Sequence, residues 1–155
     1  MPWTRSFWHT REGSGARRVK IRADILRSDL KRSIRLVEEG ANRMHSKGAE
    51  VILDRVVAGT RVDTGKAVSN WRVGIGQPTR AVIEPYSPGE KGSTASANRN
   101  AALAAGRARI AGKKPGQEVF ISNNVDYQEF IPGFQDAVDN AITAGRMAIE
   151  NMKVL

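Results

Sequence analysis

Asp63-Thr64-Gly65 is the first place in this chain where residue type and spacing admit chemistry. Aspartic proteases use that triplet to set two carboxylates around a shared proton and a water, and a homodimer needs one copy per chain. Lys66 follows where a small residue is required, and no later apolar-apolar-Gly element stands ready to support active-site loops. Such a homodimer is also β-rich, whereas about half of this chain has helical periodicity. A turn accounts for the triplet more simply: the Asp side chain bonds amides ahead of it, and Gly tolerates positive φ.

The other candidates are weaker. His9 and His45, the two histidines, have no histidine or carboxylate at ligand spacing. Gly89-Glu90-Lys91-Gly92-Ser93 has the letters of a phosphate loop in the wrong order, and no strong strand feeds it. Gly74 and Gly76 alone make no dinucleotide fingerprint. The chain has no cysteine, which removes disulfides, thiolate metal sites and thiol nucleophiles together. No nucleophile is paired with a base. The expectation is a protein without catalysis, metal or cofactor.

Charge says more. The net charge is +9 over 155 residues, and it is unevenly spread. Residues 1–47 hold twelve Lys and Arg against five acids; residues 48–90 hold five of each. Residues 91–117 carry Lys91, Arg99, Arg107, Arg109, Lys113 and Lys114 with no acid, and residues 118–155 carry six acids against two bases. A basic front and middle with an acidic end suits nucleic acid, and equally suits head-to-tail contact between copies. The six bases of 91–117 neutralise phosphates without reading bases if they share a face. No reader motif or interleaved aromatic accompanies them. The other reading pairs them with the acidic end of an adjacent copy, and the two are compatible.

The elements that must position these residues follow from periodicity. Residues 1–23 read as an irregular, extended arm in which Trp3, Phe7 and Trp8 lie among Arg17, Arg18 and other bases; aromatics this dense suit docking on a neighbour or on the protein's own domain. Residues 24–58 are helical, with Leu30, Ile34, Val37, Ala41, Met44, Gly48 and Val51 stepping by four and three. That stripe is expected to pack on the protein's own sheet, with a coiled-coil dimer as the other option. After Gly59, residues 62–65 turn; Trp71, Val73 and Ile75 alternate as a strand; residues 81–84 make a short second strand.

Residues 87–117 form a basic, Ala-rich excursion whose part 95–111 is either a helix with little to bury or a mobile segment. Residues 118–122 give a third strand, and a last helix follows Pro132-Gly133 with Phe134, Ala137, Val138, Ala141 and Ile142 on one face. The fold class is α+β: a small, mainly antiparallel sheet flanked by a long N-terminal helix and a C-terminal helix, in one domain over 24–155. A hydrophobic fraction of 40% permits a modest core. No run approaches the ~18 apolar residues of a membrane span, and the first twenty residues do not resemble a signal peptide.

Several separated segments carry a resemblance. Arg61-Val62-Asp63-Thr64-Gly65, then Ser69-Asn70-Trp71, then Val119-Phe120-Ile121-Ser122-Asn123-Asn124 ending at Tyr127 match, in order and spacing, the signature of the phage neck and tail-completion (minor tail component) family. Pro132-Gly133-Phe134 resembles that family's exit into its final helix. The likeness covers roughly residues 25–150. Glu129-Phe130-Ile131 departs from it by lacking a Gly, and the arm is longer than the family's pattern.

The resemblance implies a structural virion protein, made in the host cytoplasm. Its implied form is a homo-oligomeric ring, hexameric or else dodecameric, around the DNA channel. Portal, head-completion, and tail terminator or tube proteins are its implied partners, with non-specific contact to genomic DNA. The family-motif residues Val62, Asp63, Thr64, Gly65, Trp71, Ile121, Asn123, Asn124 and Tyr127 are then the turn and strand of the fold. From the charge alone, a free-standing sequence-neutral nucleic-acid-binding protein is the alternative.

Overall fold

The computed structural model describes the backbone of residues 3–152 and the side chains of residues 27–152. It is α+β. Helix α1 (Trp3–Gly59) leads through the one-turn helix α2 (Lys66–Ser69) to strand β1 (Arg72–Ile75). Helix α3 (Ala95–Ala111), strand β2 (Val119–Ser122), a 3-10 turn (Gln128–Phe130) and helix α4 (Phe134–Glu150) follow. Two compact units divide the chain inside α1, Met1–Glu38 and Glu39–Leu155.

Helix α1 is longer than its periodicity suggests: it begins at Trp3 and takes in residues read as an irregular arm. No proline lies between Trp3 and Gly59, and strong helix formers predominate, so the roughly 1 kcal/mol cost of each Gly does not stop it. The side chains of Trp3, Phe7, Trp8, Arg17 and Arg18 lie outside the described residues, and so does their docking role. In the first unit, Leu30, Ile34 and Val37 are 61%, 49% and 62% exposed. The stripe expected to pack is therefore exposed at these residues.

The core belongs to the second unit. Ala49, Leu53, Val56 and Val57 turn one buried face of α1 toward Val68, Trp71, Val73, Ala102, Ile110 and Ala141. Full burial of each Leu or Val there stabilises by about 1.5–3 kcal/mol. Contact between helices depends on small residues. A Cβ on Gly145 would lie 2.4 Å from Ile52, one on Gly48 2.5 Å from Ile149, and one on Gly59 2.7 Å from Ala137. Helix α4 thus lies directly against the last turns of α1.

The sheet has two strands. Arg72 pairs with Ser122 and Ile75 with Val119 in antiparallel register. The second strand expected at residues 81–84 is absent as a strand. Its backbone is held instead by one side chain: Asn70 Nδ2 donates to the Ile83 carbonyl at 2.8 Å, and Ile83 N donates to Asn70 Oδ1 at 2.7 Å. That exchange reproduces what a strand neighbour would give, without a ladder.

Residues 95–111 are helical, and they bury more than their composition suggests. Asn98, Ala102, Gly106 and Ile110, four apart, form the buried face of α3. A Cβ on Gly106 would lie 2.4 Å from Leu53 and 3.1 Å from Val73. The smallness of these residues is what lets α3 come so close.

Candidate functional site

The turn at residues 62–65 is built to hold a loop. Asp63 Oδ1 accepts from the Lys91 amide at 2.8 Å, and the Asp63 carbonyl accepts from the Gly92 amide at 2.9 Å. Gly65 stands at φ 89°, a left-handed conformation, as the residue that opens α2. A Cβ there would lie only 2.2 Å from Asn98 Nδ2, so both backbone and space require glycine. The carboxylate that sequence offers as a proton carrier is thus engaged in fastening residues 90–92.

Behind the turn lies a buried polar clamp. Asn98 is fully buried: its Oδ1 accepts from Ser69 Oγ at 3.0 Å and from Ser87 N at 2.8 Å. Its Nδ2 donates to the Ser87 carbonyl at 2.7 Å and to the Thr94 carbonyl at 3.0 Å. Ser69 Oγ accepts in turn from Tyr86 N at 3.3 Å. Asn70 also donates to the Lys66 carbonyl at 2.8 Å. These bonds satisfy backbone groups of a strandless loop that would otherwise be costly to cover. Nearby, Trp71 Nε1 donates to Thr60 Oγ1 at 2.7 Å, and its ring stacks on Phe134 with centroids 5.3 Å apart.

The second motif segment runs out of β2 and bonds back to α2 and to Thr79. Ile121 is half-buried against the core. Asn123 Nδ2 donates to the Ala67 carbonyl at 2.8 Å, and Val125 N donates to Asn123 Oδ1 at 3.3 Å. Asn124 Nδ2 and Ser122 Oγ both donate to the Thr79 carbonyl, at 2.7 and 3.0 Å. The two segments, far apart in sequence, meet through α2.

Between them runs a groove of about 530 Å³. Residues 61–68 form one wall and Tyr127, Phe130, Ile131 and Pro132 the other. Burial raises the Tyr127 phenol above its ordinary value; Lys66 opposes this, while Asp126, Asp63 and Glu84 add to it. Lys66 reaches Glu84 at 3.4 Å. Phe130 is 77% exposed at the lip. Such a groove, apolar with polar side walls, is suited to gripping a side chain or helix.

The six bases of 91–117 do not share one face. Arg99 Nη2 donates to the Thr60 carbonyl at 3.2 Å, Arg107 pairs with Asp54 at 2.8 Å, and Lys113 is buried and donates to Asn42. Arg109 and Lys114 are exposed, as is Lys91, which holds a positive φ of 51°. Two of the six, Arg107 and Lys113, thus reach α1, and Arg99 reaches Thr60 just past its end. His45 is exposed; partial burial chiefly, and Lys113 next, lower its pKa, while Glu118 opposes. Among the described residues no group of three or more His, Asp or Glu side chains is placed to hold a metal ion, and no helix is long and apolar enough to cross a membrane.

Asn98 is the residue that sequence reasoning passed over. Its signal was present: a side chain that competes with helical backbone bonds sits within the first turn of an Ala-rich helix. Phe130 was noted only as a departure from the family pattern. Compared with family models, curated proteins and solved structures, the chain matches none.

Proposed function

We propose that this chain is a structural protein of a tailed-phage neck, forming a ring that joins the portal and head-completion complex to the tail around the DNA channel. One observation carries the reading. The first segment that resembles the neck family lines the groove and the second reaches it at Tyr127, while the polar side chains Asp63, Asn123 and Asn124 each bond backbone groups of other segments. Residues spent in this way make a rigid scaffold with a shaped surface, which is what a ring subunit needs. The exposed apolar groups Leu30, Val37, Phe130, Ile142 and Met147 give such a subunit surface to cover on assembly.

DNA contact in this reading is electrostatic and secondary. Lys91, Arg107, Arg109 and Lys114 are the exposed bases of the 91–117 stretch, and Arg107 is already paired with Asp54. Three phosphate contacts would give a salt slope of only about −3, whereas a free-standing nucleic-acid binder would show a steeper one.

The test is the particle. Purified virions should contain the chain, and electron microscopy of the portal–tail junction should show it there as a ring. Its loss should leave filled heads and finished tails unjoined. Intact infectious particles without the chain would refute the proposal.

A further inference from the structure

The geometry points to strand addition between copies: residues 80–84 of one copy pair with the outer edge of β2 in a second copy. The inference deepens the ring reading by naming the backbone edges that would join its subunits, and it rests on that reading for closure alone.

Gly76 N donates to the Glu118 carbonyl at 2.9 Å, and the register sets Gly74 opposite Phe120 and Arg72 opposite Ser122. Alternation along an antiparallel pair therefore turns the backbone groups of Phe120 and Ser122 toward β1, and those of Val119 and Ile121 away from it. No partner for these outward groups occurs among the described residues, and the sheet has no strand beyond β2. Such an open edge is a template for a further strand. Beside it lies a cavity of about 250 Å³, between Gly48, Ala49, Ile52 and Ile149 of the helices and Val119 and Ile121 of β2. A side chain of an added strand that points the same way as Val119 and Ile121 would enter this apolar space.

The same chain carries a strand-like run without a ladder. Val82 and Ile83 are β-branched residues that favour a pleated surface, and Asn70 satisfies one side of the run through both backbone groups of Ile83. Along an extended run the backbone groups of Val82 point to the opposite side. There they meet no partner among the described residues, and Val82 is 46% exposed. The occupant of the β2 edge is thus a second copy: it offers a matching backbone edge and, at the alternate position, an apolar side chain for the cavity. Each edge has both signs of charge close by, Arg80 and Glu84 beside Val82, Lys114 and Glu118 ahead of β2. Backbone bonds and apolar fit make the match, not net charge. Because donor and acceptor edges differ, each added copy leaves one of each free, and the contact propagates into a ring or chain.

Proline tests this on the full chain, because it removes one N–H and leaves the rest of an edge in place. Val82→Pro removes an N–H that points outward, and Ala81→Pro one that points the other way. Both positions are exposed, so each variant should keep the wild-type thermal melt. Sedimentation velocity over a concentration series should show wild-type self-association, weakened at least about tenfold by Val82→Pro and unchanged by Ala81→Pro. In the wild-type protein, residue-resolved hydrogen exchange should slow at Val119 and Ile121 on association, with Phe120 and Ser122 slow throughout. Wild-type protein that stays monomeric, or equal association of the two proline variants, would overturn the inference. So would Val119 and Ile121 amides that exchange alike at every concentration. Rings that persist in Val82→Pro would remove this contact yet leave the neck reading intact. Strand addition in a chain absent from virions would do the reverse.

Discussion

The carboxylate of Asp63 receives the backbone amide of Lys91 at 2.8 Å, tying the turn before α2 to the loop before α3. The bond needs an acceptor oxygen and no negative charge. Asp63→Asn keeps that acceptor and should cost under about 1 kcal/mol, whereas Asp63→Ala removes it and should cost about 1 kcal/mol. Urea unfolding of the two variants measures the difference. A proteolytic activity abolished by Asp63→Asn would show that the carboxylate's charge matters and would overturn the structural role.

Asn98 holds the loop from within. Asn98→Leu removes the partners of Ser87 N, the Ser87 carbonyl and Ser69 Oγ at once, in a site with no exposure. Each buried group left without a partner costs about 1–3 kcal/mol, so a loss of about 3 kcal/mol or more is expected. Amide exchange should rise first in residues 83–90, where the clamp acts. A variant as stable as wild type would mean that the loop finds other partners.

Gly74 lies within β1, and the chain just beyond the strand folds back against it. A Cβ there would lie 2.0 Å from the Gln77 carbonyl oxygen and 3.2 Å from Thr79 N, both backbone atoms that cannot rotate away. Gly74→Ala should destabilise by about 3 kcal/mol, at the upper end of overpacking costs. The same change at Gly76 meets no atom within 4 Å, so it carries only the strain of its φ of 75°. Parallel thermal melts of the two proteins separate close approach from backbone strain.

What the sequence made legible follows from what periodicity can carry. The helix α4 was visible because Phe134, Ala137, Ala141 and Gly145 repeat on one face behind Gly133, whose φ of 75° opens the helix. Strands β1 and β2 were visible as short alternating runs between turn residues. The strand expected at 81–84 was not found because Asn70 supplies its hydrogen bonds, and side-chain substitution for a ladder leaves no period to read. The buried face of α3 was misjudged because Ala102 and Gly106 bury by fitting closely rather than by area. The regular stripe of α1 pointed to packing, yet Leu30, Ile34 and Val37 are exposed: period identifies a face without naming its partner. Of the groove, residues 61–65 and Tyr127 were readable as motif residues, whereas Phe130 and Ile131 of the other wall were not.

Tyr127 reports on that groove directly. Burial disfavours its phenolate, and the carboxylates of Asp126, Asp63 and Glu84 disfavour it further, against the opposing charge of Lys66. With Tyr86→Phe leaving one tyrosine of the two, the phenolate absorbance should appear above the ordinary midpoint of about 10. Lys66→Met removes the one cation that favours ionisation and should move the midpoint higher still. The stability consequence has a fixed sign. A phenol whose pKa is raised by folding contributes stability that is complete below about pH 10 and is lost as pH climbs through the folded-state value. Tyr127→Phe should therefore flatten the alkaline limb of the stability curve. A midpoint at or below 10, or a downward shift in Lys66→Met, would mean that Tyr127 faces open water rather than the wall of the groove.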